Sequence, residues 1–395
     1  MKKRTIFNNA KIVLADRIME GCVVVEDGII TNILHGSPGE EEQKDFDIID
    51  CHGNYLSPGF IDTHCHGGGG ADFMDGTSDA IITAARAHLK HGTTSICPTT
   101  LTCSDEELFT FFDNYHYVKD NAKQMPRLLG VHLEGPYFSA EQAGAQPPEY
   151  LLNPSPEHYK TILERSHGCI ARWSCAPELP GALEFADTVS QQNILVSIAH
   201  TNATYEDVQE AVAHGFTHVT HFYSAMSSIV RKKGKRYLGV VEAAYLMDSL
   251  DVELIADGIH LPPDLLRLIL RCKNHTQISL CTDAMRGAGM PNGPSILGSL
   301  KNGVNVVVED GIAYMPDHSC FAGSVATTDR LVRTMYKQAH LPLWEAVRMM
   351  TLNPARMLGV QHTVGSIQIG KCADFVIFND NVEVQQVFVN GNLVA

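Results

Sequence analysis

Residues 60–66 read FIDTHCH, which is typical of a buried strand that ends in polar side chains. Seven later segments also have the residue pattern of a buried strand. Most of them are separated by segments whose apolar residues have helical spacing. The eight predicted strands are residues 60–66, 94–99, 128–134, 171–176, 194–200, 217–222, 252–257 and 277–283. Eight strands that alternate with helices predict an α/β fold of the (β/α)8, or TIM-barrel, type.

A doubly wound parallel sheet is the competing interpretation of this alternation. That fold needs a glycine-rich phosphate turn in GxGxxG order after its first strand. The glycines that follow the first strand, residues 67–70, are consecutive and lack this order. The segments between the strands predict helices with Ser78, Ser104 and Thr204 as N-caps.

The two ends of the chain differ from its middle. Residues 1–55 and 364–394 consist of short alternating strands with turn residues between them. We therefore predict one small β-sandwich domain formed by both termini (residues 1–56 and 357–395), and a barrel domain at residues 57–356.

Composition excludes several functional classes. The 395 residues include 30 Lys and Arg against 45 Asp and Glu, a net charge of −15 that argues against a nucleic-acid-binding protein. No run of about 18 apolar residues occurs, so we expect no membrane partner. Eleven cysteines, an odd number without a CxxC pair, fit a reducing compartment, and we expect a cytoplasmic protein.

Polar side chains that can bind a metal stand at the ends of five predicted strands. The C-terminal ends of barrel strands meet at one face, where active sites lie. His64 and His66 are two residues apart, so both point to one side, whereas Cys65 points to the other. The residues with this placement are His64, His66, Glu134, His200, His221 and Asp283. Each alone is explained by a buried histidine, an ion pair or a helix cap, but together they predict a site for Zn²⁺ or Fe²⁺.

Several motifs together resemble the amidohydrolase superfamily, and most closely the N-acetylglucosamine-6-phosphate deacetylases. The segments that carry the resemblance include PGFIDTHCHG (58–67), HLEGP (132–136), THFYSAM (220–226), ADGIH (256–260) and NPARMLG (353–359). The resemblance implies that Glu134, His200 and His221 hold one metal. It also implies that His64 and His66 hold a neighbouring metal, with Glu134 between the two and Asp283 as the catalytic aspartate.

The same resemblance suggests substrate contacts. The residues predicted to bind substrate are Ala145, Gln146, Ser224, Ala225, Arg231, Lys232, Asp257, His260, Phe321, Ala322 and Gly323. Two of them depart from the family pattern, because Gln146 replaces a histidine and Ser224 replaces an asparagine. Residues 231–236, RKKGKR, stand where the family has one arginine that reaches a phosphate in the partner subunit. We therefore expect a homodimer and an anionic substrate, although a solvated loop also explains this basic run.

The resemblance implies a hydrolase that removes acetate from an N-acetylhexosamine 6-phosphate, most readily N-acetylglucosamine 6-phosphate. It implies one or two divalent ions per subunit, a metal-activated water as nucleophile and Asp283 as general base and acid. Gln146 and Ser224 leave open another N-acyl sugar phosphate or another small amide as substrate. A non-catalytic metal-binding barrel is a further alternative. A bridging carboxylated lysine of the dihydroorotase kind is not favoured, since residues 171–176 contain no lysine.

Overall fold

The computed structural model describes residues 3–37, 39 and 44–395. Residues 1, 2, 38 and 40–43 of the predicted small β domain lie outside this described part. The strands are β1 (Arg4–Val13), β2 (Ile18–Glu26), β3 (Ile29–His35), β4 (Asp47–Asp50), β5 (Tyr55–Pro58), β6 (Phe60–Cys65), β7 (Gly67–Gly68), β8 (Ala71–Asp72), β9 (Thr93–Pro98), β10 (Arg127–Leu128), β11 (Val131–Glu134), β12 (Ile170–Cys175), β13 (Leu195–Ile198), β14 (Phe216–Val219), β15 (Val230–Lys232), β16 (Lys235–Tyr237), β17 (Asp251–Leu254), β18 (Ile278–Leu280), β19 (Gly293–Leu297), β20 (Val304–Glu309), β21 (Ile312–Tyr314), β22 (Phe375–Phe378), β23 (Val384–Val389) and β24 (Asn392–Leu393).

Helices connect most of the central strands. They are α1 (Ser78–Leu89), α2 (Asp105–Asn121), α3 (Pro156–Arg165), α4 (Ala182–Ser190), α5 (Tyr205–Ala213), α6 (Val240–Leu246), α7 (Pro263–Cys272), α8 (Thr328–Lys337), α9 (Leu343–Met349) and α10 (Leu352–Met357), with short 3₁₀ turns at Ala140–Gln142, Pro148–Tyr150 and His275–Gln277. The N-caps Ser104 and Thr204 are confirmed, since each side chain accepts a hydrogen bond from the first turn of its helix. The prediction for α1 was wrong by one residue: Thr77 is extended and its side chain accepts from the Ala80 N–H, so Ser78 is already helical.

Parallel pairing connects the central strands in chain order. β6 pairs with β9, and β11, β12, β13, β14, β17 and β18 pair in sequence. A bridge between Thr99 and His132 joins β9 to the β11 edge, and a bridge between Cys65 and Ala284 joins the segment after β18 to β6. The chain thus has a mixed α/β fold of the TIM-barrel type, and the carboxyl ends of these strands lie at one face.

The third central strand is interrupted. The sequence predicted one strand at residues 128–134, but β10 and β11 are separate. Gly130 between them has a φ of +130°, and a Cβ there would lie 2.5 Å from the Ala171 Cβ. Only glycine fits this combination of backbone conformation and close approach, so the strand breaks there.

Both ends of the chain contribute to one separate sheet. Its order is β24-β23-β22-β5-β1-β2-β3, and β4 pairs with β1 as well. Phe7 of β1 packs edge-on against Phe375 and Phe388, with ring centroids 4.9 Å apart in both pairs. Aromatic packing of this kind stabilises the sheet by burying apolar area from both termini together.

Three small antiparallel units were not predicted, and the first is the pair of β7 with β8. β19, β20 and β21 form a sheet between β18 and α8, and β15 and β16 form a hairpin before α6. The β19–β21 sheet brings Leu297 and Tyr314 to the carboxyl ends of the central strands. Among the described residues, no helix is both long and apolar enough to cross a membrane.

Candidate active site

All six predicted metal-site residues come together where the central strands end. Glu134 lies at the centre: its Oε1 is 3.3 Å from His200 Nε2 and 3.1 Å from His221 Nε2. On the other side, Glu134 Oε1 is 3.5 Å from His64 Nε2 and Oε2 is 3.2 Å from His66 Nε2. The carboxylate therefore stands between two groups of three residues, and each group has its donor atoms within metal-binding reach of one another.

We call these groups the first metal position (Glu134, His200 and His221) and the second metal position (His64, His66 and Glu134). Asp283 lies beside the second, with Oδ1 3.3 Å from His64 Nε2 and 3.2 Å from His66 Nε2. All of these side chains are almost fully buried. Cys65 faces away, with its Sγ 3.2 Å from His88 Nε2, as the strand alternation predicts.

The backbone bends sharply at three of these residues. His200, His221 and Asp283 have φ values of +45°, +26° and +49°. Each lies just beyond the end of its strand, in a region of φ that non-glycine residues rarely adopt. Such bends cost about 1–3 kcal/mol each and are concentrated at functional sites. Here they turn each side chain from the strand direction towards Glu134.

The hydrogen bonds around the site show what its donor atoms can bind. The Gln142 carbonyl lies 2.8 Å from His200 Nδ1, so this nitrogen carries the proton and donates. The Nε2 atom of His200 is then available to bind a cation beside the Glu134 carboxylate. His64, whose Nδ1 lies 3.1 Å from the Glu253 carboxylate, can do the same when a metal ion replaces the proton on its Nε2. Lone pairs that converge on carboxylate oxygens require a cation between them. The residues present therefore fit a divalent metal.

The pKa shifts of the carboxylates and histidines also indicate that positive charge is needed between them. Burial opposes ionisation of the Glu134 carboxyl, but His64, His200 and His221 together hold its pKa well below the usual value. Burial likewise disfavours charged imidazole, yet Asp283 and Glu134 raise the pKa of His64 to about 10 and that of His66 to about 9. Burial also opposes ionisation of Asp283, but the two histidines lower its pKa. The carboxylates are thus ionised, and the site stabilises positive charge next to them.

A cavity of about 490 Å³ opens above these residues. Its walls combine predicted site residues with apolar and aromatic side chains such as Leu101, Ile255 and Tyr314. The predicted site residues that line it are His66, Glu134, Ala145, Gln146, His200, His221, Ser224, Ala225, His260, Asp283, Phe321 and Gly323. This volume is suited to a small organic molecule, and the cavity places such a molecule against Asp283 and the metal positions.

Four residues predicted to touch substrate do not line this cavity. Asp257 instead accepts from His260 Nδ1 at 2.9 Å and so fixes the His260 ring. Ala322 is fully buried in a small apolar cluster beside the cavity. Arg231 and Lys232 are exposed on the β15–β16 hairpin. Substrate contact by these four residues stays a prediction, and the contact expected of Arg231 and Lys232 is with a phosphate across the subunit boundary.

Gln146 contacts the site through both ends of its amide. Its Oε1 accepts from the Thr102 backbone N–H at 2.9 Å, which directs the NH₂ group to Glu134 Oε2 at 2.8 Å. One amide N–H thus orients the carboxylate between the metal positions. The other N–H of the Gln146 amide is on the same side chain, which lies on the cavity wall.

Two buried residues were not predicted from the sequence. Arg172 of β12 and Glu253 of β17 form a buried ion pair, and Glu253 accepts from His64 Nδ1. The signal was present, since each is a charged residue within a short, otherwise mostly apolar strand, where an unpaired charge is costly.

Similarity to known proteins identifies the family of this chain. The family model "Amidohydrolase family" matches residues 55–394. The N-acetylglucosamine-6-phosphate deacetylase of Lysinibacillus sphaericus is 35% identical over 355 residues, which cover 88% of this chain and 87% of the relative. The N-acetylgalactosamine-6-phosphate deacetylase of Escherichia coli O157:H7 is 31% identical over 371 residues, 94% of each chain.

A solved structure is similar over the same range. The crystal structure of N-acetylglucosamine-6-phosphate deacetylase from Pasteurella multocida has a TM-score of 0.90 and 31% identity, with 99% of both chains covered. These findings confirm the resemblance that the sequence motifs indicated. The chain therefore belongs to the amidohydrolase family and, within it, to the N-acetylglucosamine-6-phosphate deacetylases.

Proposed function

We propose that the protein hydrolyses the acetamido group of an N-acetylhexosamine 6-phosphate, releasing acetate and the hexosamine 6-phosphate. The observation that carries this proposal is the cluster of His and carboxylate side chains, with Asp283, that lines a cavity of about 490 Å³. The names of the similar proteins support a phosphorylated amino sugar as substrate.

The ligands proposed for the first metal are Glu134, His200 and His221, and those for the second are His64, His66 and Glu134, with Asp283 beside it. The mixed N/O donor set suits Zn²⁺ or Fe²⁺. When bound, such an ion would lower the pKa of water towards about 7 and polarise the scissile carbonyl.

Asp283 is the proposed proton carrier. Its carboxylate is ionised and lies on the cavity wall, so it can accept a proton from water as the water oxygen attacks the acetyl carbon. The protonated Asp283 then donates that proton to the sugar nitrogen as the C–N bond breaks. One water is consumed, its second proton also passes to the nitrogen, and the products are acetate and the protonated amine.

Other residues would hold the sugar. His260, oriented by Asp257, and the segment Ser224–Ala225 lie on the cavity wall with Phe321, whose ring centroid is 4.4 Å from that of His260. Binding the sugar at these groups would orient the acetamide and lower the entropic cost of reaction. Gln146 would keep Glu134 in place while its second N–H faces the acyl group.

We place the phosphate partly with a second subunit. Arg231 and Lys232 are exposed and belong to a dense basic run in a chain of net charge −15. In the proposed homodimer, this hairpin reaches the cavity of the partner subunit and supplies cations there. A phosphate group pairs favourably with such cations.

The remaining assignments complete this proposal. Residues 57–356 would form a closed (β/α)8 barrel, and residues 1–56 and 357–395 a small β-sandwich domain, which the pairing of β22 with β5 supports. Most of the eleven cysteines are buried, as expected of thiols in a reducing compartment, which supports a cytoplasmic location.

The decisive experiment is a substrate screen with purified protein. It compares the 6-phosphates of N-acetylglucosamine, N-acetylgalactosamine and N-acetylmannosamine with the unphosphorylated sugars and with N-acetyl amino acids. We expect acetate release only from phosphorylated amino sugars, with N-acetylglucosamine 6-phosphate preferred. The second candidate is N-acetylgalactosamine 6-phosphate, which the name of the Escherichia coli relative favours. Hydrolysis of unphosphorylated compounds alone would refute the proposal.

A further inference from the structure

A group of fully buried polar side chains lies beneath the second metal position. Glu253 of β17 and Arg172 of β12 are both 0% exposed. The Arg172 guanidinium contacts both Glu253 carboxylate oxygens, and its Nη2 also donates to Thr220 Oγ1 at 2.7 Å. Thr63 Oγ1 donates to Glu253 Oε2 at 3.0 Å, and Glu253 Oε1 lies 3.1 Å from His64 Nδ1. Every contact of the Glu253 carboxylate is therefore with a donor.

This arrangement fixes the proton on the His64 ring. An ionised carboxylate can only accept hydrogen bonds, so the His64 nitrogen that faces Glu253 must carry the proton. Arg172 contacts both carboxylate oxygens and Thr63 donates to Oε2, so the surroundings of Glu253 are those of a carboxylate that accepts every hydrogen bond. The other nitrogen, Nε2, faces Glu134 and Asp283 and is the atom that a metal ion would bind in place of a proton.

The two metal positions differ in how their histidines are held. In the first, His200 Nδ1 donates to the Gln142 carbonyl, which is independent of Glu253. In the second, His64 is the histidine with a protein partner at Nδ1. The buried Nδ1 atoms of His66 and His221 have no hydrogen-bond partner within the described part of the chain. At each metal position, one histidine ring is therefore oriented by a hydrogen bond from its Nδ1.

We propose that Glu253, itself fixed by Arg172, is a positioning residue that sets the tautomer and orientation of His64 and so determines whether the second metal position binds its ion. The inference rests on the proposed metal-dependent function and goes beyond it by assigning control of the second position to a buried ion pair. At the first metal position, the Nδ1 partner of His200 is the Gln142 carbonyl, and Arg172 contacts Thr220, the residue before His221, but not a metal-binding side chain of that position.

Glu253→Gln tests the proposal because the amide cannot offer two acceptor oxygens. With its oxygen towards Arg172 and Thr63, the NH₂ group faces His64 Nδ1. That nitrogen must then accept, which moves the ring proton to Nε2 and removes the lone pair that would bind the metal. Loss of such an outer partner weakens metal binding by about 10- to 100-fold.

The experiment titrates metal-free protein with Co²⁺, follows the visible absorption of the bound ion, and counts bound metal by elemental analysis after dialysis. We expect two equivalents for the unchanged protein. For Glu253→Gln we expect one equivalent at the unchanged first-site affinity and spectrum, with the second weakened at least about tenfold. The matched control is Ser197→Ala, which removes contacts of this hydroxyl to Arg172 at 3.5 Å, to Thr220 at 2.7 Å and to His218 at 2.8 Å but leaves Glu253 and His64 in place. It should keep both equivalents.

Glu253→Gln leaves the buried Arg172 charge without its partner, which can prevent folding. The double variant Arg172→Met/Glu253→Gln removes both charges and should show the same selective loss of the second equivalent, with thermal unfolding as the check on folding. Two equivalents at unchanged affinity in either folded variant, loss of both equivalents together, or a single equivalent in the unchanged protein would each overturn the proposal. If the unchanged protein binds no Co²⁺ at all, the metal-dependent function itself is wrong.

Discussion

Replacing Asp283 with asparagine separates proton transfer from metal binding. The two side chains have nearly the same shape, and Asp283 Oδ1 lies 3.2 Å from His66 Nε2, so we expect the local structure to persist. Asparagine cannot accept the proton from water or donate it to the leaving nitrogen. General acid–base catalysis by one group contributes about 10²- to 10⁴-fold, and here the same group serves two successive steps. We therefore expect kcat to fall by at least about 10³-fold, or about 4 kcal/mol in the activation barrier.

The assay is acetate release from N-acetylglucosamine 6-phosphate at saturating substrate, with metal content measured on the same sample. The first metal position does not include Asp283, so it should stay filled. Asp79→Asn is the control, because Asp79 is an exposed aspartate of α1 that does not line the cavity. A fully metallated Asp283→Asn protein that turns over within tenfold of the unchanged enzyme would show that another group carries the proton.

Three further substitutions test the rest of the site. Glu134→Ala should abolish binding at both metal positions, whereas His66→Ala should remove only the second ion; equal metal content in the two variants would contradict the shared carboxylate. Gln146→Ala removes the hydrogen bond that orients Glu134. We expect kcat to fall by about 10-fold and KM to change little, because loss of a buried hydrogen-bond partner costs about 1–3 kcal/mol. Unchanged steady-state kinetics would exclude this role for Gln146. Arg231→Ala with Lys232→Ala should raise KM for the phosphorylated sugar and weaken its salt dependence; the same KM at low and high salt as in the unchanged protein would place the phosphate elsewhere.

Short segments between helical ones made most of the central strands predictable. Residues 60–66 and 94–99 became β6 (Phe60–Cys65) and β9 (Thr93–Pro98), in which every residue is buried. Both segments mix apolar residues with polar ones such as Asp62 and Ser95, so their short length and their position between helical segments, rather than an unbroken apolar run, made them recognisable as strands. The break at Gly130 was not predictable, because it depends on the approach of Ala171 from a neighbouring strand.

The metal positions were predictable for a different reason. Parallel strands in one cylinder bring their carboxyl ends to the same face, so strand position alone places Glu134 near His200 and His221. By contrast, Arg172 and Glu253 are 81 residues apart and their pairing follows from the register between strands. Local sequence shows that each is an unusual charge in a strand, but it does not show which charge is its partner.

The energetics of the site connect its geometry to metal binding. Three non-glycine residues with positive φ cost about 1–3 kcal/mol each, and two ionised carboxylates, Glu134 and Asp283, are buried against each other. A proton on His64 or His66 offsets part of this cost in the absence of metal, as their raised pKa values indicate. A divalent ion supplies the same positive charge and binds the folded chain alone, so it stabilises the fold by mass action. The strain at His200, His221 and Asp283 is therefore consistent with a fold that reaches its full stability only when the metal positions are filled.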